Sequence, residues 1–255
     1  MAATERPRDL QATVDLLWRT KAPGSRGPRG SLTLDGIVAT AVEIADADGI
    51  AAVSMRKVAE RLGVTTMSLY RYVPGKDDLL DLMFEMASGR PDTTTWPEGW
   101  RARLTAYAHA CRALFLHRPW MLDIPISGPP MGPNNLAWME AVLASLNDTG
   151  LREDDMLGVL MLLTGYVMNE ARQEVAMTRA APRTGVSYSE WDAVYARLLT
   201  RVTSADDSYP TLSRMVRAGA LGPTGTTADD NFAYGVKFIL DGVEALIHTR
   251  SETRL

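Results

Sequence analysis

One cysteine, three histidines and four phenylalanines are spread over 255 residues, and each scarcity excludes something. A lone Cys111 leaves no internal disulfide and suits a reducing compartment. Of the histidines, His109 and His117 stand two turns apart on one helical stretch, with no acidic residue at ligand spacing, and His248 is distant. No metal site is expected from them. There is no G-x-S-x-G elbow, no phosphate-cradling P-loop and no dinucleotide fingerprint. The acidic run Glu153-Asp154-Asp155 opens a helix, where the dipole explains it. No catalytic residue, no cofactor and no enzymatic activity are therefore expected. Long apolar runs are missing too: the richest, Met156 to Met168, is interrupted and short of the roughly 20 residues that span a bilayer. Nothing at the N-terminus resembles a signal peptide. A soluble, cytoplasmic protein with no membrane partner is the expectation.

An excess of positive charge is also absent. The net charge is −4, and residues 1 to 90 carry 12 Lys and Arg against 12 Asp and Glu. Its placement is uneven, however. From Pro23 to Leu34 the only charges are Arg26 and Arg29, and from Val64 to Lys76 the only ones are Arg71 and Lys76. Such a small basic footprint is compatible with a nucleic-acid partner held through a modest number of phosphates.

What the chain does have is apolar spacing of helical period, with no strand-like alternation, so the fold class is all-α. "DLQATVDLLWRT" reads as a possible short helix. The "KAPGSRGPRGS" that follows reads as a flexible arm, and residues 1–31 are set aside on that basis. Thr33 caps a helix that ends at Gly49, and a second runs from Ser54 to Gly63. A third covers about Thr65 to Val73, and a fourth follows "PGKDD". Further helices span Trp96–His117, Leu136–Leu146, Glu153 to about Arg179, Tyr188–Val202, Leu212–Ala218 and Asp229–Arg250. The stretch "SGRPDTTTWP" divides residues 32–90 from a larger domain, 96–255.

The segment "GVTTMSLYRYVPGK" carries the most chemistry. Helix, glycine turn and short second helix form the helix-turn-helix layout, with small Ala59 at the crossing and Leu69 facing inward. Thr65, Thr66 and Ser68 stand where a helix N-terminus approaches bases or phosphates. Tyr70, Tyr72, Arg71 and Lys76 can donate to phosphate oxygens. Equally, this could be one more short helix of a bundle, with Tyr72 in its core.

Residues 32–87, through "IVATAVEIADADGIAAVSMRKVAERLGV" and "SLYRYVPGKDDLLDLM", resemble the DNA-binding domain of the tetracycline-repressor (TetR) family of bacterial transcription regulators. The stretch "HRPWMLDIPISGPPMGPNNLAWMEAVLASLNDTGL" is similar to the ligand-binding domain of the family's tetracycline-repressor subclass. The resemblance implies that Arg56 contacts base or phosphate, and that Thr66, Met67 and Ser68 face the bases. It makes Tyr70, Arg71, Tyr72 and Lys76 the phosphate clamp. Met67 offers only apolar contact, as to a thymine methyl.

In the larger domain, Trp100, Tyr107, His117, Trp120, Met121, Trp138, Met139, Met161 and Tyr166 are more large side chains than helix seams need. Singly, each fits a core; together with Asn169 they suit an adaptable apolar site. The family arranges these helices around a cavity for a small-molecule effector. Phe232, Val236, Ile239, Val243 and Leu246 form a four-three seam that serves either an intrachain core or, as the family implies, a homodimer interface. The expectation is a homodimeric, ligand-responsive repressor on an inverted-repeat, double-stranded operator. The competing reading is a helical protein that binds a small molecule or a partner without reading DNA.

Overall fold

The computed structural model describes residues 9–20, 32–125, 128, 131–203, 208–220 and 227–252. Among these there are eleven α-helices and no strand. Two compact units divide the chain, Met1–Asp148 and Thr149–Leu255.

The first unit begins with α1, Leu10–Leu17, whose first turn is capped by the Asp9 carboxylate accepting from the Ala12 amide. The flexible-arm reading of residues 1–31 is thus corrected for this stretch. Thr13 and Leu17 are buried, and the Thr13 hydroxyl donates to Asp78 Oδ1 at 3.1 Å. Arg26 and Arg29 lie outside the described residues.

Next come α2 (Leu34–Asp48), α3 (Met55–Leu62), α4 (Thr66–Tyr70) and α5 (Lys76–Ser88). Their starts follow from side-chain caps, since Thr33, Ser54 and Thr65 each accept from a backbone amide of the first turn. Ile37, Val38, Val58, Leu69, Val73, Leu79 and Met83 meet as a core with no exposed surface. Truncating one of them to alanine, as in Leu69→Ala, would cost about 2–5 kcal/mol through lost transfer energy and the cavity left behind.

Helix α6, Trp100–His117, starts four residues later than the apolar spacing predicts. Pro97 and then Gly99, at φ 84°, keep the chain non-helical up to that point. A short 3-10 turn, Pro119–Asp123, follows. Helix α7, Pro133–Leu146, starts three residues earlier than expected, because Pro133 suits a first helical position and Glu85 of α5 satisfies its free amides. In the second unit are α8 (Glu153–Thr184), α9 (Trp191–Thr203), α10 (Pro210–Arg217) and α11 (Ala228–Glu252). At 32 residues, α8 is about 48 Å long at the usual rise. It pairs with α11 through Tyr166 stacked on Phe232, with centroids 5.7 Å apart. Near the other end, Arg250 makes two bonds to the Asp155 carboxylate, at 2.8 and 2.9 Å.

Candidate nucleic-acid interface

The turn between α3 and α4 is built on Gly63, whose φ of 67° is costly for any side-chain-bearing residue. Its amide donates to Glu60, and the Val64 amide donates to the Ala59 carbonyl at 3.0 Å. Ala59 is 2 % exposed, so the two helices cross closely there. Leu69 and Val73, both fully buried, pin α4 to the core from beneath.

With the inner face fixed, the outer one is set. Met67 is 72 % exposed and Tyr70 46 %. The Arg56 side chain is 84 % exposed and reaches Glu60 at 3.2 Å, while Arg71 and Lys76 are also exposed. Two of the expected readers are already engaged with each other. The Thr65 hydroxyl accepts from the Ser68 amide and lies 3.0 Å from the Ser68 hydroxyl. This makes Thr65 the cap that starts the helix and leaves Thr66 and Met67 as the freer pair at its tip. Tyr72 is half-buried, so its ring packs partly into the head.

The expected effector residues fall into both units. Trp100, Tyr107, His117, Trp120, Met121, Trp138 and Met139 belong to the first, and Met161, Tyr166 and Asn169 to the second. Tyr107 and Trp138 meet edge-on at 5.9 Å, with Trp96 at 6.4 Å from each. The Trp138 indole N–H donates to the Gly89 carbonyl at 2.9 Å, capping the end of α5. Trp120, 3 % exposed, donates to Asp46 at 2.6 Å, and Met121 beside it is buried. Within their unit these side chains are core and clamp. Trp100 and Met139 are half-buried. His117, Asn169 and Met161 are exposed, Met161 to 67 %, which takes them off a buried wall. Tyr166 is half-buried, and its hydroxyl donates to the Phe232 carbonyl at 3.1 Å. A Cβ on Gly235 would collide with the Tyr166 ring, so that glycine is what lets α8 and α11 approach. Burial pushes the Cys111 thiol up to about 12, so it is unreactive near neutrality. Among the described residues, no group of three His, Cys, Asp or Glu is placed to hold a metal. No helix among them is long and apolar enough to cross a membrane.

The family model for bacterial regulatory proteins of the tetR family matches residues 37–83, and that for the tetracyclin repressor-like C-terminal domain matches residues 93–247. The chain belongs to the TetR family of transcriptional repressors. It is 39 % identical to the HTH-type transcriptional repressor DrrR1 of Streptomyces coeruleorubidus, over 95 % of this chain and 88 % of that one. An HTH-type transcriptional regulator of Saccharopolyspora erythraea is 31 % identical over 96 % of this chain and 98 % of its own. Among solved structures, ActR of Streptomyces coelicolor in complex with actinorhodin is similar at TM-score 0.67 and 29 % identity. That match covers 85 % of this chain and 99 % of ActR.

In the second unit, α8 and α11 each bury some apolar side chains and expose others. Phe232, Val236 and Val243, read from the sequence as a dimer seam, are 1–4 % exposed and already packed within the chain. Their periodicity marks the stripe that α11 buries in its own unit. Ile239 and Leu246 are half-buried and line an open groove of about 620 Å³ between α8 and α11. The exposed apolar side chains are ones the seam missed: Leu157, Met161 and Leu162 on α8, and Tyr234 and Phe238 on α11, each 46–67 % exposed, with Leu162 and Phe238 also lining the groove. Tyr234 and Phe238 pack edge-to-face at 4.7 Å, one turn apart.

Proposed function

We propose that this TetR-family repressor acts in the cytoplasm as a homodimer on an inverted-repeat operator, and that a small, largely apolar effector releases it. The observation that carries the DNA half is the two-sidedness of α4. Its inner side chains are immobilised in the core, while Arg56, Met67, Tyr70, Arg71 and Lys76 stand in solvent around it. Thr66 and Met67 read base edges; Tyr70, Arg71, Tyr72 and Lys76 hold phosphates. Ser68 and Thr65 shape the tip.

Dimerisation is supported by the apolar surface on α8 and α11. Five large side chains exposed on one helix pair form the kind of patch that a soluble chain covers with a partner. A copy of the same face makes a closed two-fold contact, which presents two reading helices to two half-sites. The effector is supported by the larger half of the chain, and by ActR, which has been solved with actinorhodin. Actinorhodin and apolar compounds like it are thus the first to screen. Effector binding shifts the population towards dimers whose reading helices no longer match the groove spacing. Selecting bound fragments from the source genome, then titrating the winning operator with such compounds, tests both halves. Compounds that bind the protein and leave operator affinity unchanged would overturn the release mechanism.

A further inference from the structure

Glu85 is the most deeply buried charged residue among the described residues of the first unit. The residue is 4 % exposed and sits on the last turns of α5, the helix that closes the DNA-reading head. Its oxygens accept from the backbone amides of Asn134, at 2.5 Å, and Asn135, at 3.2 Å, and from the Asn135 side-chain amide at 2.5 Å. In return, the Asn134 side chain donates to the Glu85 carbonyl at 3.0 Å. The first turn of α7 is therefore capped by a carboxylate from another helix, at the end where the dipole favours negative charge. Gly132 makes this possible, since any Cβ there would overlap the Glu85 carboxyl group.

The same few residues are gripped from a second side. The Trp18 indole N–H, just past the end of α1, donates to the Met131 carbonyl at 2.9 Å. Helix α1 is itself fastened to the head: Thr13 bonds Asp78 on the first turn of α5, and Arg19 pairs with Asp35 at the start of α2 at 2.7 Å. Residues 131–135 are thus held between two elements anchored in the head. Helix α1 lies outside both family matches, which begin at residues 37 and 93.

We propose that Met131–Asn135 is the joint that sets the angle of the DNA-reading head against α6 and α7. Glu85 is its positioning residue and α1 a strap across it. The physical reason is the cost of slippage. Sliding α7 past α5 strips the Glu85 carboxylate of its donors while it stays out of water, and a buried charge without partners is strongly disfavoured. The joint therefore has few intermediate positions. Either the first turn of α7 and the end of α5 move together, or the carboxylate comes out into solvent. Displacement within α6 and α7 reaches the reading helix with little loss.

The inference rests on the DNA-reading role for its functional arm only. The test places spin labels at Ala51→Cys, on the head, and Glu140→Cys, on α7; both positions are exposed and the native Cys111 is buried. Double electron–electron resonance is recorded on the full chain diluted with unlabelled protein, so that only distances within one chain register. The parent should give one narrow distribution. Glu85→Ala should at least double its width while helicity is retained, and should weaken binding to the selected operator at least tenfold. Glu85→Gln, which keeps one acceptor but turns an amide N–H towards a donor, should fall between. Trp18→Phe and Asn135→Ala are milder cuts at the same joint and should broaden the distribution even if Glu85→Ala fails to fold. Unchanged width in the folded variants overturns the proposal. So does a widened joint with undiminished operator affinity, because the joint would then not set the reading helix. A parent chain that binds no operator instead contradicts the functional reading, and the distance arm still decides the joint.

Discussion

The indole N–H of Trp120 donates to the Asp46 carboxylate across 2.6 Å and ties the turn after α6 to the last turns of α2. Arg118 reaches the same carboxylate at 3.3 Å and the Ala87 carbonyl, at the end of α5, also at 3.3 Å. One short turn thus holds two helices of the reading head. Trp120→Ala should cost about 3–5 kcal/mol in urea unfolding, as large aromatic truncations do. Trp120→Phe keeps most of the apolar volume and loses the bond to Asp46, at a smaller cost of about 0.5–1.5 kcal/mol, because the part-exposed carboxylate keeps Arg118. If Trp120→Phe unfolds at the same urea concentration as the parent, the hydrogen bond carries none of the stability.

The reading surface separates into two mutant classes. Arg71→Ala and Lys76→Ala should weaken binding to every duplex and each lower the salt slope of log K by about 1. Thr66→Ala and Met67→Ala should instead change which base is preferred. Fluorescence anisotropy over a salt series, on operator and scrambled duplex, separates the classes. A Lys76→Ala slope equal to the parent's would remove that residue from the clamp.

On α11, neighbouring positions should respond in opposite ways. Phe238→Glu, on the exposed face, should yield folded monomer in sedimentation velocity at micromolar concentration. Phe232→Ala should lower stability by about 3–5 kcal/mol, because that ring is packed within its own chain. A Phe238→Glu protein that stays dimeric would place the interface elsewhere.

Acid should loosen the α8–α11 pair. The Arg250 guanidinium, hydrogen-bonded to Asp155, holds that carboxyl at about 2, well below its ordinary 3.8. A depressed folded value means the pair stabilises the fold fully above about pH 4, with the contribution lost as pH falls towards 2. Urea midpoints over that window should drop less steeply for Asp155→Asn than for the parent. Parallel curves would show that the pair is not what titrates.

Local order was legible in the residues wherever its cause is local. Ser54, Thr65 and Gly63 mark the ends of α3 and α4, and the spacing of Leu69 and Val73 sets the inner face of α4. These signals lie within a few residues of what they determine. Glu85, Asp46 and Trp138 were not legible as clamps, because their partners lie 49 to 74 residues away and no periodicity connects them. The seam at Phe232, Val236 and Val243 shows a different limit. Helical period reveals that a stripe is buried, and it is silent on whether the covering surface belongs to the same chain. The tryptophan and methionine surplus meets the same limit: Trp120 and Met121 are buried and Met161 stands on an open face, and residue type and spacing do not tell the two apart.

The most direct test of sequence-specific, two-fold DNA reading is a footprint of the purified protein on fragments selected from the source genome. The account predicts protection of an inverted repeat whose half-site centres lie about 34–36 Å apart, or a multiple of that. Protection should be lost in the monomeric Phe238→Glu protein. Equal retention of all fragments, with no protected repeat at any concentration, would contradict it.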